Sequence, residues 1–327
     1  FLNKFMAEKK ICVIGGGRWG KNHIKTLYKI GCLSAVVESN ESRLAEIKSM
    51  YQSIDCYSNV ESALSDDYDG YVVATPAETH FQIASAIIND RNISKKNILI
   101  EKPMTLNSED SKRLIADAEM NGAKIMVGHV LMFHPAIKKI KETIENNRIG
   151  KLYYLYSTRL NLGTVRTEES VFSSFAPHDI SVLNYIIGEK PTNIQAKGVK
   201  FLQNKIYDTT MTMLEYPNNI HAHIHVSWLH PFKEQRLVIV GSTGMISFDD
   251  STAEKEIHLY NKRIDFEDGL PIKVEKPDEI IEYERKMPLE EELLYFVDNI
   301  EDKICVNTAE DGYQVVKVLE EVEHLLE

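Results

Sequence analysis

The stretch "NILIEKPMT" ends an apolar run in Glu101 and Lys102, with Pro103 following. A run of that composition reads as a buried strand, so the two charges emerge where the strand reaches the rim of its sheet. An ammonium group held at such a rim can bind a hydroxyl and stabilise the alkoxide as it develops, or pass a proton. Because Lys102 precedes a proline, the bond between them is a candidate cis peptide, which would fix the direction of the lysine. The plainer reading is a surface Glu–Lys pair at a strand end. A second stretch, "SSFAPHDISVLNYIIG", holds the other acid–base candidate. With a helix starting near Pro177, Ile180, Leu183 and Ile187 share one face, and His178, Ser181 and Tyr185 the opposite one. The apolar face would dock on a core and leave His178 looking towards Lys102. A neutral imidazole suits removal of a hydroxyl proton near neutral pH, and Asp179 is a candidate to orient it. A histidine merely satisfied at a helix start is the structural alternative.

Between these stretches, "STRLNLGTVRTEES" sets Arg159 and Arg166 on either side of a glycine-centred loop with Asn161 and Thr164. Two guanidinium groups in an acidic chain point to a carboxylate or diphosphate, which arginine binds in bidentate fashion. Salt bridges to Glu168 and Glu169 compete for the same groups. In "IHAHIHVSWLH", His221, His223 and His225 alternate on one strand face. No carboxylate or cysteine lies within the run, so the expectation is a wet or interfacial sheet face and no metal.

The acid–base candidates need a redox partner, and "ICVIGGGRWGKNH" offers one. Gly15, Gly17 and Gly20 spell G-x-G-x-x-G between a strand-like run and an amphipathic stretch, with Arg18 and Trp19 inside the loop. The first glycine permits a tight turn and the second lets the backbone approach a pyrophosphate. The third allows close packing of helix on strand, and the helix N-terminus faces the phosphates. The next strand, "LSAVVES", ends at Glu38, which is placed to accept both hydroxyls of an adenosine ribose. No arginine stands at Ser39 or Asn40, so a 2′-phosphate would meet a carboxylate, and NAD is favoured over NADP, with Arg43 the distant cation that could reverse the choice. Trp19 either covers the pyrophosphate side or fills a gap. Thr75 and Pro76, in "VVATPAETHF", lie at another strand end and would border the nicotinamide; His80 opens the next helix as a packing residue or a cofactor neighbour.

These groups are positioned by two kinds of element. Up to about residue 127, short apolar runs ("ICVIG", "LSAVVES", "GYVVAT", "NILIEKP", "AKIMVGH") alternate with helical stretches, which predicts a parallel sheet with crossover helices. Beyond it, "KLYYLYSTRL", "YDTTMTMLEY", "IHAHIHVSWL" and "QRLVIVG" are alternating or aromatic-rich strands. The expected fold class is therefore an α/β Rossmann domain over 6–127 and an α+β domain over 128–327 with a large, mostly antiparallel open sheet. Two final helices, near 290–300 and 308–326, would either return to the first domain or close the second. The leading "FLNKF", ahead of Met6, reads as a remnant too short for a secretory signal.

Composition sets limits on function. Among 327 residues, 38 basic against 49 acidic side chains leave a net charge of −11, which disfavours nucleic acid and anionic lipid as partners. No apolar run is long enough to span a membrane. The four cysteines have neither metal-ligand nor disulfide-framework spacing, which suits a reducing cytoplasm.

Together, the glycine loop with Trp19, "ATPAETH", "EKP" and the later switch to a sheet domain resemble the glucose-fructose oxidoreductase and inositol dehydrogenase family over nearly the whole chain. The resemblance implies a Rossmann domain joined to an open-sheet domain, dimers or tetramers formed through those sheets, and hydride exchange between NAD and a sugar-like hydroxyl. It assigns Gly15, Gly17, Gly20 and Glu38 to the cofactor motif and Lys102 to catalysis. "RLNLGTVRTEESVFSSFAPHDISVL" is similar, more narrowly, to the branch containing UDP-N-acetyl-2-amino-2-deoxyglucuronate 3-dehydrogenase of surface-polysaccharide pathways. That likeness implies His178 beside nicotinamide and sugar, and a nucleotide-linked sugar oxidised at C3. A dehydrogenase of a free sugar or cyclic polyol, and a non-catalytic dinucleotide-binding protein, are the alternatives.

Overall fold

The computed structural model describes residues 9–326; "FLNKF" and Met6 lie outside the described residues. Along the first part of the chain, strands and helices alternate: β1 (Ile11–Ile14), α1 (Gly20–Lys29), β2 (Leu33–Val37), α2 (Glu41–Met50), β3 (Asp55–Tyr57), α3 (Val60–Ala63), β4 (Gly70–Val73), α4 (His80–Asn89), β5 (Asn97–Glu101), α5 (Ser108–Asn121) and β6 (Lys124–Gly128). The six strands pair in parallel in the order β3-β2-β1-β4-β5-β6. Every residue of β1, β4 and β5 is buried, as a strand covered on both faces requires, and this explains their apolar runs, with the polar Asn97 and Glu101 of β5 confined to its two ends. Asn40, Asn59 and Asn107 cap α2, α3 and α5 by accepting a backbone N–H three residues on. After β1 the chain goes first to β2 and β3, then returns on the other side through β4, β5 and β6. The direction therefore switches between β1 and β4, where ligands settle at the carboxyl ends of such sheets.

From Pro135 the pattern changes: α6 (Pro135–Glu145), β7 (Leu152–Leu160), α7 (Val171–Ile187), β8 (Asn193–Val199), β9 (Thr209–Tyr216), β10 (Ile220–Ser227), β11 (Glu234–Gly241), β12 (Met245–Asp249), β13 (Ile257–Tyr260), β14 (Lys262–Glu267), β15 (Leu270–Glu275) and β16 (Glu279–Ile281), followed by α8 (Pro288–Asp298) and α9 (Ala309–Leu326). Eight of these strands form one sheet, ordered β16-β13-β12-β11-β7-β10-β9-β8, while β14 and β15 make a separate hairpin. Pairing in the large sheet is antiparallel except between β7 and β10. Burial alternates along β9 and β10, so one face is covered and the other open. α7 packs against β7, β9 and β10.

One boundary departs from the sequence reading. α7 does not begin near Pro177; it begins at Val171, where the Ser170 hydroxyl accepts the Ser173 N–H, and Pro177 lies buried inside it. The serine cap opens the helix upstream, and buried apolar residues on both sides of Pro177, from Val171 and Phe172 to Ile180 and Leu183, carry it past the backbone hydrogen bond that the proline removes. His178 is therefore mid-helix. Ser181, expected on a polar face, is buried along with Ile180 and Leu183.

The chain divides into two compact units. One runs to Phe133 and takes in Met287–Lys317; the other comprises His134–Lys286 and the chain from Val318. Among the described residues, no helix is long and apolar enough to cross a membrane.

Candidate active site

The turn after β1 needs its glycines. Gly15 has φ +103, and a Cβ there would stand 2.7 Å from the carbonyl oxygen of Ala74; a Cβ on Gly20 would stand 2.0 Å from that of Gly15. Gly20 thus packs the first turn of α1 directly on the loop. A Cβ on Gly17 would meet nothing within 4 Å, so this backbone faces space that a phosphate can approach. Arg18 and Trp19 are exposed beside it. The Glu38 carboxylate is buried and accepts the N–H groups of Gly16 (2.9 Å) and Asn40 (2.7 Å), together with one N–H of Arg43 (3.1 Å). Burial works against the charged form, but these donors outweigh it and hold Glu38 below the usual carboxylate range. A carboxylate has about four acceptor positions, so one remains for a ribose hydroxyl. Loop, helix end and acid fit a dinucleotide.

At the end of β5, Glu101 turns inward. It accepts the indole N–H of Trp19, lies 2.7 Å from Nε2 of His23, and accepts the N–H of Lys102 at 3.1 Å. Burial pushes this carboxyl towards its neutral form, yet His23, Trp19 and Lys102 together hold it ionised. Glu101, expected at the cofactor, therefore joins the glycine loop, α1 and the lysine from below. Lys102 itself is half-buried, and its bond to Pro103 is cis. Thr75 and Pro76 follow β4 at the same edge of the sheet. His80, expected as a packing residue or a cofactor neighbour, is 1% exposed, with Nδ1 2.8 Å from the carbonyl oxygen of Pro103 and Nε2 2.9 Å from that of Thr75. Its ring ties those two strand-end turns together.

Two further residues of this unit carry titratable groups that the sequence reading missed. His129, just beyond β6, is 1% exposed and neither ring nitrogen has a hydrogen-bond partner; burial pushes its pKa down to about 4. Glu292, on α8, is fully buried and its two carboxyl oxygens have no partner either. A histidine directly after an apolar strand was a local signal for the first; the second sits on an amphipathic helix among other glutamates and gave none.

In the other unit, Arg159 is expected at the substrate and Asp179 beside His178 as its orienter. They are instead each other's partners. The Asp179 carboxylate accepts Nε of Arg159 at 2.9 Å, its second guanidinium nitrogen at 3.2 Å, and the Ser157 hydroxyl at 2.5 Å. Burial would lower the guanidinium's pKa, and the carboxylate more than offsets this. His178, the preceding residue on α7, is half-buried. Arg166 sits 3.9 Å from Glu168 and 3.8 Å from Glu169, the ion pairs that compete for it in the sequence; Asn161 is half-buried just past β7. His221, His223 and His225 pair across to Glu215, Met213 and Met211 on the open sheet face. Among the described residues, no group of three or more His, Cys, Asp or Glu is placed to hold a metal ion.

Comparison with known proteins gives two matching family models, "Oxidoreductase family, NAD-binding Rossmann fold" over residues 9–129 and "GFO/IDH/MocA C-terminal domain" over residues 137–247. Among curated relatives, myo-inositol 2-dehydrogenase of Thermotoga maritima is 28% identical, covering 78% of this chain and 79% of its own. UDP-N-acetylglucosamine 3-dehydrogenase of Acidithiobacillus ferrooxidans is 25% identical, covering 81% of each. The solved structure of that enzyme superposes with a TM-score of 0.83 over 97% of both chains, at 23% identity. The WlbA dehydrogenase of Bordetella pertussis, solved with NADH and UDP-GlcNAcA, gives 0.77 at 17% identity, over 97% of this chain and 96% of its own. At such identities the structural likeness speaks for the fold.

Proposed function

The chain belongs to the GFO/IDH/MocA oxidoreductases with an NAD-binding Rossmann fold and is an NAD-dependent oxidoreductase of sugar CH–OH groups; from that premise we propose that it oxidises, or in reverse reduces, C3 of a nucleotide-linked sugar such as a UDP-N-acetylhexosaminuronate. The observation that carries the chemical assignment is the position of Lys102. It stands at the carboxyl end of β5, and its backbone shares the Glu101 carboxylate with Trp19 of the glycine loop. The Gly15–Gly20 loop and Glu38 would hold NAD, which would supply the hydride acceptor. The ammonium of Lys102 steadies the substrate oxygen as it gains alkoxide character, and His178 takes the hydroxyl proton. In the reverse direction His178 returns the proton to the carbonyl oxygen. Thr75 and Pro76 border the nicotinamide side. With Arg159 committed to Asp179, Arg166 and Asn161 are left to hold a distal carboxylate or phosphate.

The likeness to a myo-inositol 2-dehydrogenase favours a second reading, oxidation of a cyclic polyol or free sugar. Nicotinamide absorbance over a panel of UDP-N-acetylglucosamine, its uronate, myo-inositol and glucose separates the two. Lys102→Ala is expected to lower kcat about 10²- to 10⁴-fold while NADH binding, read by fluorescence, changes little. A nearly unchanged kcat would remove the lysine from the chemistry. His178→Ala should combine with it non-additively if both groups serve one step.

The open face of the large sheet exposes Tyr154 (42%) and Met211 (63%) and supports association with a second copy of the chain, as a dimer or tetramer, which light scattering would read. Among the described residues, Cys12, Cys32, Cys56 and Cys305 form no disulfide, which supports a cytoplasmic setting.

A further inference from the structure

The hairpin β14–β15 stands apart from the large sheet. Its strands pair with each other from Lys262 and Glu275 to Glu267 and Leu270, and among the described residues neither pairs with any other strand. Two strands with no third, and no helix to lie on, are marginal in water. This hairpin nevertheless turns Ile264 (55% exposed), Phe266 (71%) and Leu270 (68%) to solvent.

Its turn fixes the direction of every backbone group. Asp268 and Gly269 both have positive φ, +51 and +80, as a two-residue type I′ turn requires, so Glu267 and Leu270 close the hairpin as a hydrogen-bonded pair. Bonded positions then alternate through Asp265 and Arg263 to Asn261, whose carbonyl accepts the Lys276 N–H at 3.0 Å. The N–H groups of Lys262, Ile264 and Phe266 therefore point away from β15. On the opposite edge, the first outward nitrogen after the turn belongs to Pro271, which has no hydrogen to give. Proline blunts the outer edge of β15, whereas β14 contains none and keeps all its outward donors.

The charges of β14 match a particular partner. The strand begins with Lys262 and Arg263 and ends with Glu267, followed by Asp268. Against a second β14 running antiparallel about a two-fold axis, the basic start of each strand faces the acidic end of the other. Ile264 and Phe266, two apart and so on one face, then meet their counterparts. Within one chain these charges are lightly held: Arg263 forks onto Asp265 at 2.8 and 2.9 Å, and Lys262 stands 3.1 Å from Asp278, all on side chains open to water. Such pairs contribute little and are readily exchanged.

We propose that the outer edge of β14 is an interaction surface for a second copy of this chain: two hairpins join β14 to β14 and make one four-stranded antiparallel sheet. Each hairpin gains the strands that it lacks, and the Ile264 and Phe266 side chains of both copies gather into one apolar cluster. This contact is separate from the open face of the large sheet, to which β14 and β15 do not belong, and does not depend on it.

The mass of the full-length protein in solution, read by light scattering, tests the proposal. Lys262→Glu with Arg263→Glu makes β14 acidic throughout, and Asp265→Lys with Glu267→Lys makes it basic throughout. Each variant alone should show about half the wild-type mass, because like charges then face each other along the edge. An equimolar mixture of the two should return to the wild-type mass, which a damaged hairpin could not do. Ile264→Pro removes one outward N–H and none of the hairpin's own bonds; it should halve the mass as well, and serves should a charge variant not fold. A monomeric wild type, a folded variant of undiminished mass, or a mixture that stays at the halved mass overturns the proposal.

Discussion

Each unit buries one well-partnered carboxylate beside a candidate catalytic residue: Glu101 precedes Lys102, and Asp179 follows His178. Their surroundings differ. Asp179 meets a guanidinium fork and a hydroxyl, so opposite charges cancel within one pair. Arginine does not titrate in the working range, so the positive member of the pair is permanent. Glu101 meets an indole, a backbone N–H and an imidazole, with the unpartnered side chains of Glu292 and His129 in the same unit. Here the charge is held by groups that do not fully cancel it. A closed pair fixes the direction of an element; an open cluster can respond to the charge changes of a reaction. Buried carboxylates thus brace α7 against β7 in one unit and underlie the strand-end lysine in the other.

The sharpest way to break this comparison is to open the closed pair. Asp179→Ala leaves the Arg159 guanidinium buried without its counter-charge, and the second unit should lose about 3–5 kcal/mol of stability in urea unfolding. Replacing both partners by apolar residues of similar size, Arg159→Met with Asp179→Leu, should recover most of the loss, because no uncompensated charge then remains. If Asp179→Ala costs less than about 1 kcal/mol, the pair is not the brace that its geometry indicates.

The open cluster is tested by acid. The unfolded chain protonates His129 near the ordinary value of 6.5, whereas the folded protein resists until about 4 because the ring is buried. Between those limits the unfolded state binds more protons, so this site's contribution is whole above pH 6.5 and is lost as pH falls towards 4. The loss is about 3 kcal/mol. His129→Phe should flatten that part of the stability curve, measured as urea midpoints at neutral and acid pH. An unaltered slope would place the acid sensitivity elsewhere.

What could be read in the sequence follows the same division between local and distant causes. The glycine loop, Glu38 and the parallel strands are legible because each depends on neighbours in the chain: a turn that only glycine can make, or a run buried on both faces. The start of α7 is misread because Pro177 resembles a helix opening, while the cap that decides the matter is a serine upstream. The Arg159–Asp179 pair escapes notice because it joins a strand to a helix across a loop that offers nearer glutamates. Glu292 is invisible for a stronger reason. Its identity as a buried acid exists only once α8 is folded against α1, far away in the sequence, and on its own helix it reads as one glutamate in a solvated row.

Arg166 gives the smallest expected effect and completes the scale. Its guanidinium is half-exposed, and its distances to Glu168 and Glu169 are 3.9 and 3.8 Å, too long for the forked hydrogen bonds that Arg159 makes. Water screens such pairs, and holding three long side chains in place costs entropy. Arg166→Ala should therefore change stability by no more than about 0.5 kcal/mol, against several for Asp179→Ala. Any larger effect should appear only in KM for an anionic substrate, with kcat preserved, because a distal group that grips ground and transition states equally contributes to binding and not to the chemical step. A destabilisation comparable to that of Asp179→Ala would mean that the loop is braced like the buried pair, and the contrast between a structural and an available arginine would fail.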